Sequence, residues 1–230
     1  MKIGKITFAA LAVFVLIALF ACASKPKVRV VELENKGTVM GISTPGWVTT
    51  YVAHGINRLQ SQSEFRDKYC VVGEETGVNR QFVLAWADNF SAQQRIGAML
   101  RTTIVSNYNA KVQGMAQSTG VTGSTPSSGT YQQEIDSIIS AVINVSYSGA
   151  QRESDWWSLR RRYDPDKKDE FTDEYTAYVL YTIPKSQLNE QVARALETSV
   201  NRDSALYDIT IEMARQILQE GMGNWGAAAE

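Results

Sequence analysis

Two β-rich segments, residues 150–161 and 172–183, flank the polar turn Asp164-Pro165-Asp166-Lys167-Lys168-Asp169. They carry Trp156, Trp157, Tyr175, Tyr178, Val179, Leu180 and Tyr181, the aromatic and β-branched residues that fill a pleated surface. This pattern predicts an antiparallel hairpin, and a two-stranded hairpin alone is marginal in water, so the rest of the chain must cover it. Residues 68–78 (Lys68 to Val78), rich in valine and tyrosine and broken by Gly73 and Gly77, predict a further strand that ends in a turn.

The covering elements read as helices. Residues 45–60 space Trp47, Val48, Tyr51, Val52 and Ile56 by three and four, with Thr44 as cap and Pro45 in the first turn. Asn79 caps a long segment from Arg80 to about Gln117, in which Phe82, Trp86, Ile96, Met99, Leu100 and Ile104 form one stripe, the pattern of a face packed on a sheet. The Ser/Thr/Gly run 118–130 reads as a loop, and Tyr131, Ile135, Ile138, Ile139 and Val142 mark the next helix. Ser186 caps a last helical stretch toward Gly221, either continuous or broken near residues 201–203. The expected class is α+β: a two-layer sandwich, with a small, mainly antiparallel sheet packed against long helices.

The N-terminus sets the compartment. Lys2 and Lys5 precede an apolar run, Ile6 to Ala21, that is shorter than the roughly 20 residues a membrane-spanning helix needs. It ends Leu19-Phe20-Ala21-Cys22, which resembles the lipobox of bacterial lipoproteins, with cleavage between Ala21 and Cys22. That resemblance implies a diacylglycerol thioether on Cys22 and a further acyl chain on its amino group; two or more chains anchor stably where one does not. No Asp follows at Ala23, so the outer membrane is the expected destination. The expected organisation is a signal peptide at 1–21, a lipidated tether at 22–44, a single domain at 45–220 and a flexible tail at 221–230. A short strand, residues 28–33, falls inside the tether.

Composition excludes several classes. One histidine, His54, and two cysteines, Cys22 and Cys70, leave too few ligands for most zinc sites and one imidazole for any triad. The net charge of −1 gives no global basic field, so nucleic acid is not an expected partner. Val71 and Val72 place Cys70 in a buried strand, and no motif supplies a third, orienting group to a Cys70/His54 pair. Asp164, Asp166, Asp169 and Glu170 lack calcium-loop spacing, and Glu74 and Glu75 point apart on a strand. No catalytic residue, metal or cofactor beyond the lipid on Cys22 is expected.

The candidate binding cluster is Trp156, Trp157, Arg160, Arg161, Arg162 and Tyr163, since aromatics among arginines can stack on sugars and pair with anions. Against this stands the plain alternation of a strand, which sends one tryptophan to each face and leaves the arginines solvated.

The order of features carries one more resemblance. Pro45-Gly46-Trp47, Val71-Val72-Gly73, a long Ala-containing helix, Tyr147-Ser148-Gly149-Ala150 and the Tyr175-to-Tyr181 strand follow the lipobox. Over roughly residues 45–200 the chain resembles the bacterial lipoprotein family named after the twenty-kilodalton surface lipoprotein of Helicobacter, related to flagellar outer-membrane lipoproteins and to a domain of flagellar assembly protein T. The resemblance implies a non-enzymatic structural or assembly role in the envelope, flagellum-associated or surface-exposed, with protein partners or self-association. The alternative is a module that binds peptidoglycan or a partner protein through the Trp/Arg hairpin.

Overall fold

A computed structural model describes residues 28–119, 128–145, 149–165, 167 and 169–223. These fall into two compact units, residues 28–31 with 161–173 and residues 32–160 with 174–223. The fold is α+β, with a four-stranded antiparallel sheet. The strands are β1 (Val30–Asn35), β2 (Lys68–Gly77), β3 (Gln151–Tyr163) and β4 (Phe171–Pro184), ordered β1-β3-β4-β2. β3 and β4 are the expected hairpin. β2 pairs antiparallel with β4, placing Val72 opposite Leu180 and Gly73 opposite Val179.

The helices are α1 (Lys36–Met40), α2 (Gly46–Gln60), α3 (Arg80–Trp86), α4 (Ala92–Thr119), α5 (Ser128–Val145), α6 (Lys185–Ser199) and α7 (Tyr207–Glu220). Several ends agree with the sequence. Asn79 Oδ1 accepts from the Phe82 amide as the cap of α3. Gly221, with φ of 81°, ends α7 in a conformation that glycine adopts without strain. The stretch after Pro184 is two helices, separated by turns between Asn201 and Leu206.

Other ends differ. Neither Thr44 nor Ser186 is a cap: Pro45 and Pro184 hold those positions with no side-chain bond, because a proline fixed near φ −60° already orients the first turn. Residues 30–40, within the stretch expected as tether, form β1 and α1. An Asn35/Thr38 capping box starts α1, with Thr38 N–H donating to Asn35 Oδ1 at 2.9 Å. Met222, assigned to the flexible tail, is buried, and its amide donates to the Tyr69 hydroxyl at 3.0 Å.

The stripe expected from Phe82 to Ile104 is broken. Between α3 and α4 lies a π-turn, Ala87–Ser91, and such a turn adds a residue, rotating the helix beyond it by about 100°. Ile96, Met99, Leu100 and Ile104 are buried, whereas Phe82, Trp86 and Phe90 are 58%, 39% and 42% exposed. The turn covers the outer edge of β2: Ser91 Oγ accepts from the Glu74 amide at 3.1 Å and donates to its carbonyl at 2.9 Å. Gln60 does the same further along, donating to the Lys68 carbonyl and accepting from the Cys70 amide. Side chains thus satisfy an edge that would otherwise invite another strand.

The larger core joins Cys70, Val72, Trp156, Tyr178 and Leu180 to the helices. A buried bond between the Tyr108 and Thr210 hydroxyls, 2.6 Å, ties α4 to α7. A second, smaller cluster holds Val83, Ala87, Trp157, Ala177 and Val179.

Candidate functional site

The six-residue Trp/Arg cluster does not form one surface. Trp156 and Trp157 are 4% and 6% exposed, and strand alternation sends them to the two different cores. The Trp157 ring meets Tyr175 edge-on at 6.0 Å and lies under the Arg80 guanidinium at 4.8 Å. Neither indole offers a free face for stacking on a sugar or base. Arg161, Arg162 and Tyr163 fall in the other unit. Arg161 makes a two-pronged bond to Asp173, 2.7 and 2.8 Å, and lies over Phe171 at 3.8 Å. Those bonds hold the Asp173 carboxyl below the usual carboxylate range.

Trp156 and Arg160 instead share a cleft of about 250 Å³ with Glu32, Val48, Ser158 and Tyr178. The period of two that separates the tryptophans brings Trp156, Ser158 and Arg160 onto one side of β3, so this grouping was readable from the sequence although Ser158 carries no motif. Ser158 is 1% exposed, and its Oγ has no hydrogen-bond partner. A buried hydroxyl without a partner costs free energy, which a polar ligand or water would recover. Arg160 has only a long pairing, 3.9 Å, to Glu32, whose other oxygen accepts from Asn35 Nδ2 at 2.7 Å. Burial raises the pKa of the Tyr178 hydroxyl, with the Glu74 charge pushing the same way, so it stays a neutral donor. The cleft can hold a small polar molecule, with a guanidinium and a carboxylate at its rim.

The groups able to do chemistry are engaged elsewhere. Cys70 is fully buried, which pushes its thiol up to about 12 and leaves essentially no thiolate near neutral pH. Glu74 Oε2 accepts from the Tyr51 hydroxyl at 3.0 Å and from Arg95 at 3.3 Å, and Arg95 also donates to Tyr51 at 2.8 Å. Burial dominates at Tyr51 and raises it to about 12. Glu75 points away to the Thr76 amide, as alternation requires. Lys167 pairs with Glu170 at 2.9 Å in the hairpin turn. His54 is exposed on α2. Among the described residues no group of three or more His, Cys, Asp or Glu could share a metal, and no helix is long and apolar enough to cross a membrane.

The row Phe82, Trp86 and Phe90 is not separable in the sequence from the buried stripe that continues it. Its rings succeed one another at 5.4 and 4.5 Å. Ala21, Cys22 and the 120–127 part of the expected Ser/Thr/Gly loop lie outside the described residues, while its ends differ from expectation: 118–119 belong to α4 and 128–130 to α5. Comparison with family models, with curated proteins and with solved structures finds no match.

Proposed function

We propose that this chain is a cell-envelope lipoprotein, anchored through acylated Cys22 in the outer membrane, with a non-enzymatic structural or assembly role. The observation that supports assembly over chemistry is the fate of the reactive side chains: Cys70 is buried and protonated, and Glu74 is bound by Tyr51 and Arg95. The aromatic row on α3 and the π-turn adds apolar surface outside both cores, a feature common where proteins meet. By resemblance to flagellar outer-membrane lipoproteins, the assembly is an envelope ring or a self-associating layer.

Cell fractionation tests the anchor. The native chain should sediment with outer membranes and carry the mass of its acyl chains, while Cys22→Ser should lose nearly all membrane retention, since no second lipid remains. Retention of Cys22→Ser equal to the native chain would sink the anchor. Light scattering of the detergent-solubilised protein should return an assembly larger than one chain, and a monomer that co-purifies with nothing would sink the assembly role.

The unpartnered Ser158 favours a second reading, an envelope ligand-binding module that uses the cleft rather than the tryptophan faces. Retention on purified peptidoglycan should fall roughly tenfold in Arg160→Gln, the loss expected for one charge-assisted hydrogen bond. Equal retention of the two proteins would remove it.

A further inference from the structure

The distance from Cys22 to the folded chain is short. Only residues 23–27 separate the acylation position from Val28, so the six steps between them span at most roughly 20 Å. The headgroup layer is itself about 5–8 Å thick on each side. Directly after the tether, the chain is fixed to the tip of the hairpin: the Arg29 carbonyl accepts from the Tyr163 amide at 2.9 Å, and the Arg29 guanidinium lies over the Tyr163 ring at 5.0 Å. Wherever Cys22 is held, this tip is held close by.

The chemistry of the tip suits such a place. Val28, Val30 and Phe171 are each about half exposed, at 47%, 51% and 49%. Phe171 and Tyr163 are neighbours at 6.1 Å, and both carry an arginine over the ring. Arg162 is exposed beside them, and a shallow cleft of about 260 Å³ runs between Val28, Arg162, Tyr163 and Phe171. Lys25, Lys27 and Arg29 precede the tip, with no acid between Cys22 and Val31. The tip also carries five acids, Asp164, Asp166, Asp169, Glu170 and Asp173, against seven bases counted from Lys25 to Arg29 and from Arg161 to Lys168, which leaves it net positive; Asp173 is held by Arg161 and Glu170 by Lys167. Rings with an apolar body beside cations are what the membrane–water interface selects, and basic residues next to an anionic leaflet gain about 1 kcal/mol each.

We propose that the hairpin tip, Tyr163 and Phe171 with Arg29 and Arg162, is the membrane-facing end of this protein and lies against the headgroups of an anionic lipid surface. The proposal rests on the acylation of Cys22 and adds an orientation to it.

The test uses the acylated full protein carrying Thr172→Cys, labelled with an environment-sensitive dye. Cys22 is blocked by its lipid and Cys70 is buried, so the label is selective. The protein is floated on phosphatidylcholine vesicles containing phosphatidylglycerol and a headgroup spin label. The dye at 172 should lose most of its emission, and adding Arg29→Gln and Arg162→Gln should restore much of the loss while the protein still floats. Protein that floats with an unquenched dye at 172, or with quenching that the two arginine substitutions leave unchanged, overturns the orientation and leaves the anchor standing. Protein that does not float overturns both.

Discussion

Gly73→Ala should destabilise the domain by about 3 kcal/mol, lowering the thermal midpoint by about 6–12 °C for a chain of this size. The cause is space rather than backbone freedom. A Cβ at Gly73 would stand well inside contact distance of the Ala87 carbonyl oxygen, and only 3.1 Å from both the Ala87 carbonyl carbon and the Ala92 nitrogen. These are backbone atoms in and beside the π-turn, and no rotamer change can move them aside. The turn is pinned on its other side by Ser91, whose hydroxyl bridges the amide and carbonyl of Glu74. Relief of the clash must therefore either lift the π-turn from β2 or break the Ser91 bridge and expose the edge. Gly46→Ala is the control: nothing lies within 4 Å of its Cβ position, and alanine is the better helix former, so its midpoint should stay or rise slightly. Differential scanning calorimetry of the two variants decides it, and equal midpoints would show that the turn does not rest on Gly73.

That close approach also explains what the sequence could and could not convey. The hairpin was legible because β-branched and aromatic residues on both sides of a six-residue polar turn leave little else to form, and Asn79 was legible because its carbonyl oxygen suits the orphan amides of a helix start. A π-turn has no comparable signature: Ala87–Ser91 is ordinary in composition, and its one extra residue changes only the phase. Phe82 and Trp86 consequently read as continuous with Ile96 and Leu100, although the latter pair is buried and the former is not. Residues 28–33 read as a lone strand in a tether, where β1 is Val30–Asn35, because pairing between β1 and β3 spans more than a hundred residues and leaves no local mark. In the cleft, alternation along β3 was readable and Tyr178 was a visible strand aromatic, but the meeting of Glu32 with Arg160 is tertiary.

Trp157→Ala should cost about 3–5 kcal/mol, a large share of the roughly 5–15 kcal/mol that holds a typical domain. Its cluster has five buried members among the described residues, and the indole is by far the largest of them, so Val83, Ala87, Ala177 and Val179 cannot close the gap without moving α3 or the sheet. The loss extends beyond the cavity: Arg80 gives up the ring beneath its guanidinium, and Tyr175 gives up its edge contact. Trp157→Phe keeps an aromatic ring at the site and should recover most of the stability. The experiment separates two roles for the same residue. If the indole bound ligand, the alanine variant would fold normally and fail only in retention on an envelope ligand; if it is core, the urea midpoint falls first and any binding defect tracks the folded fraction. The same comparison at Trp156 carries a cross-check, because the edge of that ring fills the room left by Gly37, and a Cβ there would also crowd the Ile42 carbonyl. Trp156→Ala and Gly37→Ala should therefore both loosen the connection between α1 and β3, by opposite means, one emptying the contact and the other overfilling it. Non-additive stability losses in the double variant would show that the two positions report one contact.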